Sequence, residues 1–369
     1  GVRGRRAKAR RRKARAEKLA RDEAVLADTG IRSLRARPVF TTPNVFAPEL
    51  DDHGDHGDPG EQGPTVGEER HCYTCKAHYR ELHHFYDQLC PSCAAFNHAK
   101  RTETADLTGR VALLTGGRVK IGYQAGIKLL RAGAELIVTT RFPRDSAARY
   151  AAEADFADWG HRLEIFGLDL RHTPSVEDLC HHLLTTRARL DFIVNNACQT
   201  VRPPPAFYRH MMELERTSLD ALPEHVRALL GGVDGRRGPE LLEAPGDLLT
   251  ATGAVASSAA ELSQAALLPE EHEAQGHLFP DGRLDQDLQQ VDLRGRNSWR
   301  LTLAEVSSVE LLETQLVNAV APFVLNARLK PLMLRTPERD KHIVNVSAGE
   351  GAFYPPFKTT RHPHANNAT

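Results

Sequence analysis

The 369-residue sequence lacks features of several protein classes. It has no apolar run near the roughly 18 residues that a membrane-spanning helix needs, and no signal-peptide core near its start. Internal repeats are absent. The formal net charge is zero, because 48 Lys and Arg balance 48 Asp and Glu. The net charge therefore argues neither for nor against any class of partner. We expect a cytoplasmic protein without membrane contact. A location in the nucleus or in an organelle, and a targeting segment before residue 1, remain alternatives.

Cysteine is also scarce, but four of the six cysteines form one cluster. The stretch HCYTCKAHYRELHHFYDQLCPSC contains two CxxC pairs separated by fourteen residues. Two such turns can direct four thiolates at one ion, which is typical of a structural Zn²⁺ site in a reducing compartment. Two redox-active or disulfide pairs are the alternative. The predicted zinc ligands are Cys72, Cys75, Cys90 and Cys93.

Several histidines lie close to this cluster in the sequence. They could replace a zinc ligand, but four cysteines already complete a tetrahedral shell. We therefore expect them at the surface or beside the ligands. They are His71, His78, His83 and His84.

Composition divides the chain into four parts. Residues 1–46 begin with a densely basic stretch of helical composition. It is a solvated helix or a disordered arm, or else an arm that directs the protein to the nucleus or contacts nucleic acid. Residues 47–70 are acidic and rich in Gly and predict a linker. Residues 71–98 hold the zinc-ribbon-like segment. From 109 to 369 apolar strands alternate with helices, interrupted at about 203–288 by an insertion that we predict to be a partly disordered surface excursion.

Alternating strands and helices predict an α/β fold with a parallel sheet. Its first strand runs into the glycine-rich stretch LLTGGRVKIG, and a helix follows. In this context Gly116, next to Thr115, permits a tight turn. Gly122 lets the helix N-terminus approach a pyrophosphate, whose charge the helix dipole favours. Arg118 and Lys120 make the loop cationic, which suits an additional phosphate, although a loop closed by the lysine is the alternative.

Arg141 stands just after the second strand of this unit, in VTTR. Proteins that prefer NAD place an acid there for the ribose hydroxyls, and such an acid would repel a 2′-phosphate. An arginine can instead pair with that phosphate. The sequence therefore favours NADP over NAD, with an ordinary surface arginine as the alternative.

Five motifs together resemble the short-chain dehydrogenase/reductase superfamily. In order they are TGGRVKIG, an Asp ending the third strand, NNA at 195–197, VNAVAPF and VNVSA. The likeness covers roughly 109–200 and 290–350. It implies a doubly wound parallel Rossmann sheet preceded by the small zinc ribbon.

The resemblance also implies roles for single residues. It places Gly116, Ile121 and Gly122 under the pyrophosphate, and Asp169 and Leu170 near the adenine. It places Asn195 and Ala197 beside the cofactor. Among catalytic residues, Asn318 would hold a proton-relay water and Ser347 would polarise the substrate carbonyl.

The resemblance weakens after Ser347. The family has a Tyr about thirteen residues later and a Lys four residues after it, and the Lys lowers the pKa of the phenol so that it serves as general acid/base. Here that position holds Thr360, and Tyr354 is the only tyrosine downstream. Lys358 follows it in YPPFK, but two prolines oppose the usual helix. We expect a C-terminally incomplete domain with an unpaired sheet edge.

These observations lead to two hypotheses. In the first, the intact protein is an NADP-dependent oxidoreductase acting on a small carbonyl or alcohol substrate, with Tyr354 reaching the nicotinamide from a loop. His362 and His364 are weaker candidates for the proton donor. The alternative role for Tyr354 is packing against the cofactor without donating a proton. In the second, the protein is an inactive nucleotide-binding scaffold or redox sensor whose ribbon and basic arm contact protein or nucleic acid. A homo-oligomer is compatible with either.

Overall fold

The computed structural model describes residues 2–35, 63–231, 258–273, 275–285, 289–298 and 301–347. The chain divides into two compact units, Gly1–Ala105 and Asp106–Thr369. Among the described residues, no helix combines the length and the apolar character needed to cross a membrane.

The first unit combines helices with one antiparallel strand pair. Its elements are α1 (Val2–Ala27), α2 (Gly30–Arg35), β1 (Thr65–His71), β2 (His78–Glu81) and α3 (Pro91–Thr102). The carboxylate of Asp22 in α1 accepts hydrogen bonds from the backbone N–H groups of Gly67 (2.8 Å) and Glu68 (3.0 Å) in β1. The described part of the basic arm is therefore helical and bound to the strand pair.

The predicted linker extends too far toward the cysteines. Strand β1 begins at Thr65, inside the predicted segment 47–70. The reason is Val66, which is buried in a small apolar cluster with Tyr79 and Leu82 although its neighbours are polar and exposed. A single inward-facing residue in a polar stretch does not produce a strand pattern that sequence alone reveals. Residues 36–62 lie outside the described part.

The second unit contains a parallel sheet. Its strands are β3 (Val111–Thr115), β4 (Glu135–Thr140), β5 (Leu163–Gly167), β6 (Phe192–Asn195) and β7 (His342–Asn345), and their order in space is β5-β4-β3-β6-β7. All four neighbouring pairs are parallel. The chain reverses its winding direction between β3 and β6, which is the switch point of a doubly wound sheet.

Helices cover both faces of this sheet. They are α4 (Lys120–Arg131), α5 (Pro143–Ala151), α6 (Phe156–Trp159), α7 (Thr173–Thr186), α8 (Pro205–Tyr208), α9 (Met212–Arg216), α10 (Glu224–Arg227), α11 (Ala259–Leu262), α12 (Ser308–Gln315) and α13 (Ala321–Met333). A π-helical segment, Leu316–Val320, joins α12 to α13. One buried cluster includes residues of α7 and α13, and a second includes residues of α4 and α5. Two apolar cores on opposite faces confirm the predicted Rossmann architecture.

The insertion differs from the surface excursion that the sequence predicts. Val226 in α10 and Leu229 after it are 5% and 2% exposed and belong to the core on the α4 and α5 side. The backbone continues the sheet at its β5 edge, because Ile165 donates to the carbonyl of Leu229 and accepts from Gly231, both at 2.7 Å. The described part of the insertion therefore covers a sheet edge. Residues 232–257 lie outside the described part.

Candidate functional site

The carboxyl ends of β3, β4, β5 and β6 surround one pocket with a volume of about 480 Å³. It lies at the switch point of the sheet, where doubly wound folds bind their ligands. Of the residues predicted to bind a cofactor, nine line it: Gly116, Arg118, Lys120, Ile121, Gly122, Arg141, Asp169, Leu170 and Ala197. Thr115 and Asn195 are buried beside the pocket rather than lining it.

Two glycines give the loop after β3 its shape. Gly116 has a φ of +69°, and a Cβ atom there would lie 2.9 Å from the Cα of Ala197. A Cβ atom on Gly122 would lie 2.2 Å from the carbonyl oxygen of Gly116 and 2.4 Å from the side-chain nitrogen of Asn196. Both positions thus require glycine because backbone segments approach each other closely. The first turn of α4 therefore lies directly against the loop.

Lys120 occupies the middle of this loop in a left-handed conformation, with a φ of +55°. Glycine adopts this conformation without a Cβ penalty, whereas a lysine is strained in it. Lys120 is the first residue of α4, and its side chain is exposed beside Ile121, which is 66% exposed. Lys120 thus has a backbone conformation typical of glycine, and its side chain adds a positive charge at the rim of the pocket.

The stretch after β6 is tied to the glycine loop. The hydroxyl of Thr115 accepts hydrogen bonds from the backbone N–H groups of Asn196 and Ala197, both at 3.0 Å. The side chain of Asn196 donates to the carbonyls of Thr115 and Gly116, both at 3.1 Å. Asn196, which the sequence analysis did not single out, therefore holds the two halves of the pocket together.

Asn195 connects the sheet to a helix instead of facing the pocket. Its Nδ2 donates to Oδ1 of Asn326 in α13 (3.1 Å) and of Asn345 in β7 (2.9 Å). Its side chain is 5% exposed. The first Asn of the NNA motif thus packs β6 against its neighbours, while the second reaches the loop.

Arg141 lies between the pocket and the insertion. Its Nη2 donates to the hydroxyl of Tyr208 at 2.6 Å, and its guanidinium lies 4.5 Å from the centre of that ring. Tyr208 ends α8 and packs against Phe142 with ring centres 5.1 Å apart. The insertion therefore provides part of the pocket wall, and the tyrosine orients the arginine.

Arg118, which was predicted to make the loop cationic together with Lys120, is buried. Its Nη1 lies 2.8 Å from a carboxylate oxygen of Asp145, and its Nη2 donates to Oε1 of Gln289, just after the insertion, at 3.4 Å. The same Asp145 oxygen accepts from Arg149 at 2.6 Å. Burial lowers the pKa of Arg118, against the opposing effect of Asp145. Asp145 thus offsets part of the positive charge that the sequence assigns to the loop.

Asp169 is held in a chain of buried ion pairs. Its carboxylate contacts Arg171 at 2.6 Å, and Arg171 reaches Glu313 of α12 at 2.8 Å. Glu313 accepts from Arg202 at 2.9 Å, and Arg202 pairs with Glu271 of the insertion. Burial alone would raise the pKa of Asp169, but the hydrogen bonds and charge of Arg171 keep it below its ordinary value. The pocket floor, α12 and the insertion are thereby linked.

Two of the predicted catalytic residues lie near the carboxyl ends of neighbouring strands. Asn318 lies in the π-helical segment, and its side chain accepts from the N–H of Gln199 (2.7 Å) and donates to its carbonyl (3.1 Å). Ser347 is exposed two residues beyond Asn345, the register partner of Asn195. Both residues therefore lie at the carboxyl edge of β6 and β7. Tyr354, His362 and His364 lie outside the described residues.

The four clustered cysteines of the first unit come together in space. Their sulfur atoms all lie within 4.8 Å of one another, and the sulfur atoms of Cys75 and Cys90 are 3.6 Å apart. A disulfide has a sulfur–sulfur distance of about 2.0 Å, and all four cysteines are unbridged. The geometry corresponds to one four-thiol site and not to two disulfides.

Comparisons with known proteins agree with this architecture. Residues 110–223 match the family model of short chain dehydrogenases. An uncharacterised protein of Acanthamoeba polyphaga mimivirus is 28% identical over 304 residues, which are 81% of this chain and 56% of that protein. A 3beta-hydroxysteroid dehydrogenase of Eggerthella lenta is 30% identical over 91 residues, 25% of this chain and 34% of that protein. A probable oxidoreductase of Streptomyces lividans is 39% identical over 92 residues, 25% of this chain and 29% of that protein.

Solved structures are similar at low identity. A short chain dehydrogenase of Salmonella enterica serovar Typhi has a TM-score of 0.39 at 14% identity, covering 72% of this chain and 68% of that chain. An oxidoreductase of Escherichia coli has the same TM-score at 15% identity, covering 72% and 67%. The chain spans 56% of the length of its mimivirus relative and about a third of the dehydrogenase of Eggerthella lenta. Residues 110–223 are thus similar to short chain dehydrogenases.

Proposed function

We propose that the second unit binds NADP and is part of an oxidoreductase that reduces a carbonyl or oxidises an alcohol. The observation that carries this proposal is the pocket in which the glycine loop, the start of α4 and Arg141 meet. Short-chain dehydrogenases are oxidoreductases, and the names of the relatives from Eggerthella and Streptomyces agree with that class. Activity and substrate of the whole protein are part of the proposal.

The loop fits a pyrophosphate. At Gly116 and Gly122 a Cβ atom would overlap neighbouring backbone, so the loop surface consists largely of backbone. The N-terminal turn of a helix presents unpaired N–H groups and a partial positive charge, which favour an anion. Lys120 adds a full positive charge at the same place. These residues would hold the diphosphate of a dinucleotide.

The end of β4 fits a 2′-phosphate. A guanidinium can bind a phosphate through two parallel hydrogen bonds, and Tyr208 already restricts the orientation of Arg141. Asp169, a carboxylate that lines the same pocket, is paired with Arg171, which reduces its repulsion of a phosphate. These contacts support NADP over NAD.

The chemistry would take place at the carboxyl edge of β6 and β7. Bound NADP(H) would supply or accept the hydride. We assign the polarisation of the substrate carbonyl to the hydroxyl of Ser347, and proton donation to the phenol of Tyr354. The side chain of Asn318 is hydrogen-bonded to both the N–H and the carbonyl of Gln199. These two bonds support a role for Asn318 in positioning the loop after β6.

We further propose that the cysteine cluster holds a structural Zn²⁺. A tetrahedral ion with bonds of about 2.3 Å separates its sulfur ligands by about 3.8 Å. The 3.6 Å between Cys75 and Cys90 is close to that separation. Four thiolates close the coordination shell, so this metal would stabilise the first unit without taking part in a reaction.

Cofactor binding can be tested by fluorescence titration of the purified protein with NADPH and NADH. We expect NADPH to bind more tightly, because only NADPH has a 2′-phosphate that Arg141 can pair with. Arg141→Asp should remove this preference, and its matched control is Arg216→Asp, which makes the same charge change at an exposed position of the insertion. Equal or tighter binding of NADH by the unmutated protein would contradict the assignment of NADP.

A further inference from the structure

Three histidines of the first unit form a second cluster of candidate metal ligands, in addition to the four cysteines. His83 and His84 are adjacent in the loop after β2, and His98 lies on α3. Their candidate ligand nitrogens all lie within 4.8 Å of one another. The ring centres are 4.0 Å apart for His83 and His84, 4.9 Å for His84 and His98, and 5.3 Å for His83 and His98.

We propose that His83, His84 and His98 form a second metal site, which binds one divalent transition-metal ion of the Zn²⁺ class. Imidazole nitrogen is a preferred ligand for Zn²⁺, Cu²⁺ and Ni²⁺. Three imidazoles around one ion with bonds of about 2.0 Å need ligand nitrogens about 3.3 Å apart. Rotations of the side chains can close the remaining gap, since one ring is exposed and the other two are only partly buried.

The two sites would differ in character. Four cysteines close the shell of the first ion, whereas three histidines leave a fourth position for water or an external ligand. The second ion should therefore exchange more readily than the first. Helix α3 connects the sites, because it starts directly after Cys90, contains Cys93 and carries His98 five residues later. A second ion would bind the loop after β2 to this helix.

Metal binding should change one hydrogen bond in a detectable way. The backbone N–H of Phe85 donates to Nδ1 of His83 at 3.0 Å. A neutral imidazole that binds metal through Nε2 carries its proton on Nδ1, and one that binds through Nδ1 has no lone pair left there. In either case the contact with Phe85 is lost. The free energy lost with one neutral hydrogen bond is small compared with the free energy gained from several metal–nitrogen bonds.

The test is the metal content of the full chain after equilibration at micromolar free Zn²⁺. We expect two equivalents in the unmutated protein and one equivalent in both His84→Ala and His98→Ala. His78→Ala is the matched control, because it removes an exposed histidine of the same unit outside the cluster, and it should keep two equivalents. His84→Ala should leave the fold intact since His84 is exposed.

Two further measurements assign the sites separately. With Co²⁺, thiolate charge-transfer absorption reports the cysteine site and should be the same in the unmutated protein and in His84→Ala. Hydrogen exchange of the Phe85 amide should accelerate when the second equivalent binds. A single equivalent in the unmutated protein would overturn the proposal, and so would two equivalents in both His84→Ala and His98→Ala.

Discussion

Lys120 offers a direct test of how the glycine loop is built. Its φ of +55° is in the left-handed region, which costs a residue with a Cβ atom about 1–2 kcal/mol. Lys120→Gly removes this strain but gives the unfolded chain more freedom, which costs about 0.5–1 kcal/mol. The midpoints of these two ranges differ by about 0.75 kcal/mol, by which Lys120→Gly should stabilise the second unit. At about 2–4 °C per kcal/mol for a domain of this size, its Tm should rise by about 1.5–3 °C.

Lys120→Ala is the matched control for this prediction. It removes the same ammonium group and the same side-chain contacts as Lys120→Gly, but it keeps the Cβ atom and therefore the strain. Thermal unfolding of both variants without cofactor separates backbone strain from side-chain effects. NADPH affinity should fall to a similar degree in both, because each loses the same charge at the pocket rim. A Tm of Lys120→Gly at or below that of Lys120→Ala would refute the assignment of strain to this position.

The remaining predictions concern four other positions. Arg141→Asp should lower NADPH affinity about tenfold or more in a fluorescence titration and reverse the preference over NADH, because a charge-assisted pair contributes roughly 1.5–3 kcal/mol; unchanged preference would contradict it. Cys72→Ser should abolish the thiolate absorption of the Co²⁺-loaded protein and unfold the first unit, while the thermal transition of the second unit stays in place. Glu313→Gln removes the carboxylate shared by the buried Arg202 and the partly buried Arg171, but each guanidinium keeps its other carboxylate partner, so the second unit should lose about 1.5–3 kcal/mol in denaturant unfolding; a loss below about 0.5 kcal/mol would show that the network contributes little. Tyr354→Phe in an active full-length protein should lower kcat about 100-fold or more with cofactor affinity intact, whereas parental turnover would assign the proton donor elsewhere.

Local patterns in the sequence determined the framework of the second unit. The motifs LLTGGRVKIG, VTTR, NNA and VNVSA each overlap a strand of the parallel sheet, because strands of such sheets are short apolar runs that need no distant information. The requirement for glycine at positions 116 and 122 could also be predicted from the sequence, since a strand, a tight turn and a helix start follow one another directly. The spacing of the two CxxC pairs likewise predicted the thiol cluster, because each turn brings its own two sulfur atoms together.

Only the tertiary structure decided which side chains face the pocket and what they contact. Tyr208 comes from an insertion with no strand or helix rhythm, so its contact with Arg141 depends on packing between residues far apart in the chain. Arg118 is basic in sequence, but its burial against Asp145 follows from the position of α5. His98 joins His83 and His84 only because α3 folds back beside their loop. Such contacts arise from the packing of distant segments, and neither periodicity nor turn chemistry encodes that packing locally.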